Sequence, residues 1–242
     1  PAWQPREDHR TLDWAEPLRK GPKYDLLLFS FALNESRDSP EFLAHALLKL
    51  MSVPLAEEGL LVLVEQALKL QSRRLLEIRR ELLKLLAADP READPKLLTP
   101  CLGTQLCGAL ADPEDWCHEE ATWWRPPFLK LLDELTKLDR KTLPFTHQVW
   151  MKSNRTLPEI LPSIGPGTRA IHRLVSPARK VGRDHEFFVC GQDGKRRARL
   201  RTDAESQPDE AMRNLSRGDL LLDAEVRGNF ESTRIESVKN LA

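Results

Sequence analysis

Tyr24-Asp25-Leu26-Leu27-Leu28-Phe29-Ser30-Phe31 is followed by a polar stretch, Asn34-Glu35-Ser36, and then by Ser39-Pro40. An apolar run this short between polar flanks predicts a buried strand, of the sort covered on both faces in a parallel sheet. Ser39 suits a helix N-cap and Pro40 the first helical position, with Phe42, Leu43, Ala46, Leu47 and Leu50 making one face. Glu57-Glu58-Gly59 turns the chain into Leu60-Leu61-Val62-Leu63-Val64-Glu65, a second buried strand. From Ser72 to Ala88, Leu75, Leu76, Arg79, Leu82, Leu83 and Leu86 recur at helical spacing among Arg73, Arg74, Arg80 and Lys84. Strand, helix, strand, helix in that order implies a parallel α/β sheet. Pro90 and Pro95 end the unit.

Outward from this core the signals change. Residues 1–23 are a polar, Pro-rich lead-in. Pro126–Leu138 reads as a helix with Phe128, Leu131, Leu132 and Leu135 on one face, and Phe145–Met151 as a third strand. Pro158, Pro162, Gly165, Pro166 and Gly167 form a linker. Beyond it come short β-type runs at Ile171–Val175, Glu186–Cys190, Arg197–Arg201 and Leu220–Val226, with Gln192-Asp193-Gly194 as a hairpin-turn signal. The expected organisation is an α/β domain over 1–157, carrying a Cys-rich loop at 97–118, then a small basic β domain over 168–242.

The chain of 242 residues is 40% hydrophobic, enough for a real core. Four Cys do not make a disulfide-dense scaffold, and runs such as Leu60–Val64 are too short to span a bilayer, so no membrane partner is expected. No signal peptide is visible, and the first residues are Pro1-Ala2-Trp3, which leaves a segment upstream open.

Zero net charge conceals an asymmetry. Arg169, Arg173, Arg179, Lys180, Arg183, Lys195, Arg196, Arg197, Arg199 and Arg201 stand against three acidic residues between 169 and 201, a local charge of +7. Such a concentration suits an anionic partner, nucleic acid first, or a solvated strand face.

The cysteines carry the sharpest chemistry. Cys101 and Cys107 are separated by five residues, Cys117 follows after nine more beside His118, and Cys190 adjoins the hairpin turn. Three thiols within 17 positions can converge on one ion, and the fourth closes the site if the β domain folds back. Thiolates favour zinc or an iron–sulfur cluster. The spacing is neither a zinc ribbon nor a bacterial ferredoxin run, and separate buried thiols packing as small hydrophobes fit it too. His118 is the alternative fourth ligand. Glu119-Glu120 and Asp112, Glu114 and Asp115 read as solvated loop charges.

Four stretches together resemble the methyltransferase-like family of mitochondrial small-ribosomal-subunit assembly factors and their bacterial relatives. They are Asp25–Glu35 with its Leu-Asn-Glu ending, Glu58–Glu65 followed by Arg73–Arg80, Cys101-x5-Cys107 with Asp115-Trp116-Cys117-His118, and Val189-Cys190-x3-Gly194 with Arg217-Gly218-Asp219. The resemblance covers most of the chain in order and spacing. It implies a partial S-adenosylmethionine-methyltransferase-like Rossmann fold with a cysteine-rich insertion and a small C-terminal β domain. It further implies a 4Fe-4S cluster on Cys101, Cys107, Cys117 and Cys190, with zinc as the alternative, and ribosomal RNA of the small subunit as the partner of the basic stretch. The compartment would be the bacterial cytoplasm or the mitochondrial matrix.

Two features depart from that family. Leu-Gly-Thr-Gln-Leu fills the interval between Cys101 and Cys107, and Glu119 stands where an aromatic is usual. A cofactor-binding methyltransferase also needs a Gly-rich turn after its first strand. None precedes Tyr24, so that turn is expected upstream of Pro1 or the cofactor site is degenerate. Asn34 and Glu35, at the end of a strand, are the candidate S-adenosylmethionine contacts; capping the next helix is their plainer role. The leading expectation is an rRNA-binding assembly factor of uncertain catalytic status. An active rRNA methyltransferase and a zinc-stapled protein-interaction domain are the alternatives.

Overall fold

A computed structural model describes residues 23–89, 95–101, 107–138, 141–161, 171–182, 184–191, 194–200, 215–222, 226–227, 233–235 and 239–240. The architecture is mixed α/β with two sheets. The first half runs β1 (Tyr24–Ser30), α1 (Pro40–Ser52), β2 (Leu55–Gln66), α2 (Lys69–Ala88), β3 (Pro95–Thr99), α3 (Gly108–Ala111), β4 (Glu119–Thr122), α4 (Pro127–Thr136), β5 (Thr142–Lys152) and α5 (Leu157–Ile160). Ser39 caps α1 as its sequence predicts, its hydroxyl accepting from the Phe42 amide at 3.2 Å.

Strand order in the first sheet is β1-β2-β5-β3, with β4 also paired to β5. Only β1 and β2 are parallel; β5 is antiparallel to β2, β3 and β4. The expectation of a parallel sheet is therefore corrected. A single helical crossover joins β1 to β2. Three helices and two strands intervene before β5, which enters with the opposite direction.

One face of the sheet is sealed by α1 and α2. Leu43, Leu47 and Met51 of α1 and Leu75, Ile78 and Leu82 of α2 pack with Leu61, Leu63 and Trp150 of the sheet. Burial of each such side chain contributes roughly 2 kcal/mol of stability. Trp150 Nε1 donates to Gln148 Oε1 at 3.0 Å, and Gln148 Nε2 donates to the Leu75 carbonyl at 2.7 Å, so these two buried polar side chains are paired and tie sheet to helix.

Two apolar readings need correction. Tyr24, Leu26 and Leu28 are 42%, 54% and 58% exposed, so β1 is not covered on both faces; it is an edge strand whose alternate residues face outward. The expected helix forms as α4, but Phe128, Leu131, Leu132 and Leu135 all point to solvent. Its inward side is Leu129 and the buried Asp133, whose carboxylate takes a 2.9 Å bond from Arg125.

The second sheet comprises β6 (Ile171–Leu174), β7 (Arg179–Val181), β8 (Asp184–Gly191), β9 (Gly194–Leu200), β10 (Leu220–Leu222), β11 (Val226–Arg227), β12 (Thr233–Ile235) and β13 (Lys239–Asn240). Its order is β11-β12-β9-β8-β6-β10-β13, with β7 also on β8. Leu174, Phe187, Val189, Ala198 and Leu221 form its core. β8 and β9 pair down to Gly191 and Gly194, as a hairpin should; the Gln192-Asp193 part of the turn signal lies outside the described residues. Among the described residues no helix is long and apolar enough to cross a membrane.

Candidate metal centre and basic face

Cys101 stands just beyond β3, Cys107 caps α3, Cys117 precedes β4 and Cys190 lies on β8. All four are free thiols. The fold draws them together: within each of the six pairs, ionisation of one thiol opposes ionisation of the other. Burial is the larger effect. It raises Cys101 and pushes Cys117 and Cys190 up to about 12. No three His, Cys, Asp or Glu side chains among the described residues are already set to hold a single metal ion, so the thiols are neighbours rather than a finished cage.

Two buried cations face this group. Arg79, 2% exposed, favours the thiolates of Cys101 and Cys190, and Arg173, 8% exposed, favours those of Cys101, Cys117 and Cys190. A four-thiolate donor set, soft and negatively charged, suits zinc or an iron–sulfur cluster, and buried guanidinium groups offset that charge. The residues present therefore fit the group that the resemblance implies.

The segment carrying Cys117 is fastened to the second sheet along its length. Asp115 pairs with Lys195 of β9, Glu119 with Arg173 of β6, and the His118 carbonyl accepts a 2.8 Å bond from Arg217. Arg73 of α2 holds the other side, donating to the Asp112 and Asp115 carbonyls at 2.7 Å each. Cys190 is itself the cross-strand partner of Arg173 and Lys195. At Gly108 a Cβ would come within 2.6 Å of the Lys195 amide nitrogen, so α3 touches β9 through a residue without a side chain. His118 Nε2 lies 3.8 Å from Glu120, its ring stacks on Trp116, and its Nδ1 is buried without a hydrogen-bond partner among the described residues.

Two expectations about loop charges are corrected here. Glu119 is 8% exposed and ion-paired with Arg173, and the partly buried Asp115 is ion-paired with Lys195, whereas Asp112, Glu114 and Glu120 are exposed as expected. Sequence reasoning also missed Arg79 as part of the site. A charged residue on the apolar stripe of α2 was the available signal, because such a position is buried in any amphipathic helix.

Asn34 is half-buried in the loop after β1, whereas Glu35 is exposed. Asn34, Glu65, Gln71 and Arg74 line a cavity with room for about one water. Glu65 Oε1 accepts the Leu33 amide at 2.8 Å, and Arg74 donates to the Ser36 and Asp38 carbonyls at 2.6 and 2.7 Å. These bonds fix the loop at the carboxyl ends of the two parallel strands.

The basic stretch divides by orientation. Arg173 is turned inward to Glu119, Lys195 is half-buried on Asp115, and Arg196 shares the inner side of the hairpin with Val189. Arg179, Lys180, Arg197 and Arg199 are exposed, Arg199 being held by Glu186. Arg169, Arg183 and Arg201 lie outside the described residues.

The chain matches no family model, and no curated protein matches it.

Proposed function

We propose that this chain is an RNA-binding factor of the small ribosomal subunit, methyltransferase-like in build, whose two sheets are stapled by an iron–sulfur cluster on Cys101, Cys107, Cys117 and Cys190. The observation that carries the reading is the meeting of four thiols from four separate elements where the first half of the chain contacts the second sheet. Packing as separate small hydrophobes does not require the four thiols to be neighbours, whereas a shared metal does. The cluster, when bound, would cross-link the segments and supply folding energy rather than chemistry on a substrate. Zinc is the alternative occupant of the same donors.

The build supports the methyltransferase-like reading in part. A parallel β1–α1–β2 unit with a polar loop beyond the end of β1 is where an open α/β sheet places ligands. Asn34 and Glu35 occupy that loop and would contact S-adenosylmethionine if the chain binds it. The bonds from Glu65 and Arg74 assign the same loop a plain structural role, which favours the non-catalytic form of the reading.

In this function Arg73, Arg173, Lys195 and Arg217 orient the cysteine-bearing segment, and Arg79 offsets thiolate charge. Arg179, Lys180, Arg197 and Arg199 present cations to phosphates. Affinity for RNA then falls steeply with salt and depends little on sequence. The test is binding of small-subunit ribosomal RNA over a salt series by the anaerobically purified chain and by Cys117→Ser. The reading predicts salt-dependent binding that is lost or weakened together with the metal. Absence of rRNA binding, or a metal-free variant that binds as the parent does, contradicts it.

A further inference from the structure

The face of the β8–β9 hairpin that turns away from the second sheet's core meets the thiol region at Cys190, and beyond it carries an aromatic where a solvated strand face would be polar. Phe187 and Val189 point into the core, so by alternation Glu186, Phe188 and Cys190 share the opposite face. Their cross-strand partners on that face are Arg199, Arg197 and Lys195, and Arg179 of β7 pairs with Glu186. Phe188 is 38% exposed, with Lys195 Nζ 4.9 Å and Arg197 Cζ 6.0 Å from its ring centre.

We propose that this face is a stacking platform for single-stranded RNA, with Phe188 receiving an unpaired base and Arg197, Arg179 and Arg199 meeting the adjoining phosphates. The inference rests on the RNA-binding reading and narrows its substrate to unpaired nucleotides. An aromatic ring offers a base its π-face at any sequence, and a sheet surface that mixes aromatic and basic side chains is suited to splayed strands. A duplex hides its base faces within the stack and would engage the arginines alone. The exposed Arg179, Arg197 and Arg199 on strands beside one ring suit a negatively charged strand better than an apolar protein surface. Lys195 belongs to both neighbourhoods, pairing with Asp115 beside Cys117 while lying over Phe188, so the platform adjoins the thiol group.

The experiment is fluorescence anisotropy with the metal-loaded chain, using a labelled 12-nucleotide oligouridine and a duplex RNA of equal length. Each is titrated across several salt concentrations. Phe188→Ala and Phe188→Leu are compared with Phe188→Trp and Arg197→Ala; metal content and melting confirm that each variant is folded. Stacking predicts that Ala and Leu weaken oligouridine binding about 5- to 100-fold, leave its salt slope unchanged, and spare the duplex. Trp retains the affinity, and Arg197→Ala flattens the slope for both RNAs. Equal affinity of the parent and Phe188→Leu for oligouridine overturns the platform while leaving RNA binding intact, as does a preference for the duplex. If the parent binds neither RNA, the RNA reading itself fails.

Discussion

Glu119 and Arg173 form an ion pair between β4 and β6, both nearly inaccessible to solvent. Removing one partner leaves the other charge buried and uncompensated, a loss of about 3–5 kcal/mol in comparable cases. Glu119→Ala should therefore lower the unfolding midpoint in urea markedly, whereas Glu114→Ala, at an exposed position, should change it little. Titration gives a second residue-scale prediction. Cys117 and Cys190 sit at about 12 in the fold against an ordinary value of 9.0. Above pH 9 the unfolded chain sheds thiol protons that the metal-free fold retains, so metal-free stability should fall as pH rises from 9 toward 12. His147 works at the acid end: burial lowers it to about 4, so stability should fall as pH drops from about 6.5 to 4. Urea midpoints of the metal-free protein at intervals from pH 4 to 10 check both limbs. The thiols and the basic stretch were legible from residue type and spacing. The pairing of Glu119 and Asp115 was not, because a carboxylate in a polar loop looks the same whether water or an arginine from residue 173 receives it.

At the scale of elements, local patterning served well where one face decides the structure. The period of α2 and the apolar runs of β1, β2 and β5 could be read directly, as could the N-cap at Ser39. Direction and partner could not, since an apolar strand reads alike in a parallel or antiparallel pair; β5 is the case in point. α4 shows the opposite failure: its apolar stripe was clear, but the side facing the protein is the one holding Asp133 and Leu129. Neither β3 nor β4 has a period long enough to announce itself. The contact between α3 and β9 is the most sensitive junction of elements. A methyl group at residue 108 would press on the Lys195 backbone, which cannot yield as a side-chain tip can. Gly108→Ala should cost roughly 1–3 kcal/mol and reduce metal retention, by moving Cys107 away from Cys190. Gly182→Ala, which meets nothing within 4 Å but sits at φ +64, is the comparison: it should strain its turn and leave metal retention unchanged.

On the scale of the whole molecule, two sheets with separate cores meet, among the described residues, at a small region dense in thiols, ion pairs and a glycine contact. Neither core alone explains why that region is so heavily fastened. The proposed cluster on four cysteines would, because it needs its ligands presented from both sides and would return folding energy when they meet. Chelation or oxidation of the bound metal should then loosen the second sheet more than the first, seen as faster amide exchange in β8 and β9 than in β2 and β5. The most direct measurement is the iron, sulfide and zinc content of the anaerobically purified chain, together with its visible absorption spectrum. A brown protein holding iron and sulfide, both lost in Cys117→Ser and in Cys190→Ser, is the predicted result. A folded protein that carries neither iron–sulfide nor zinc would contradict it.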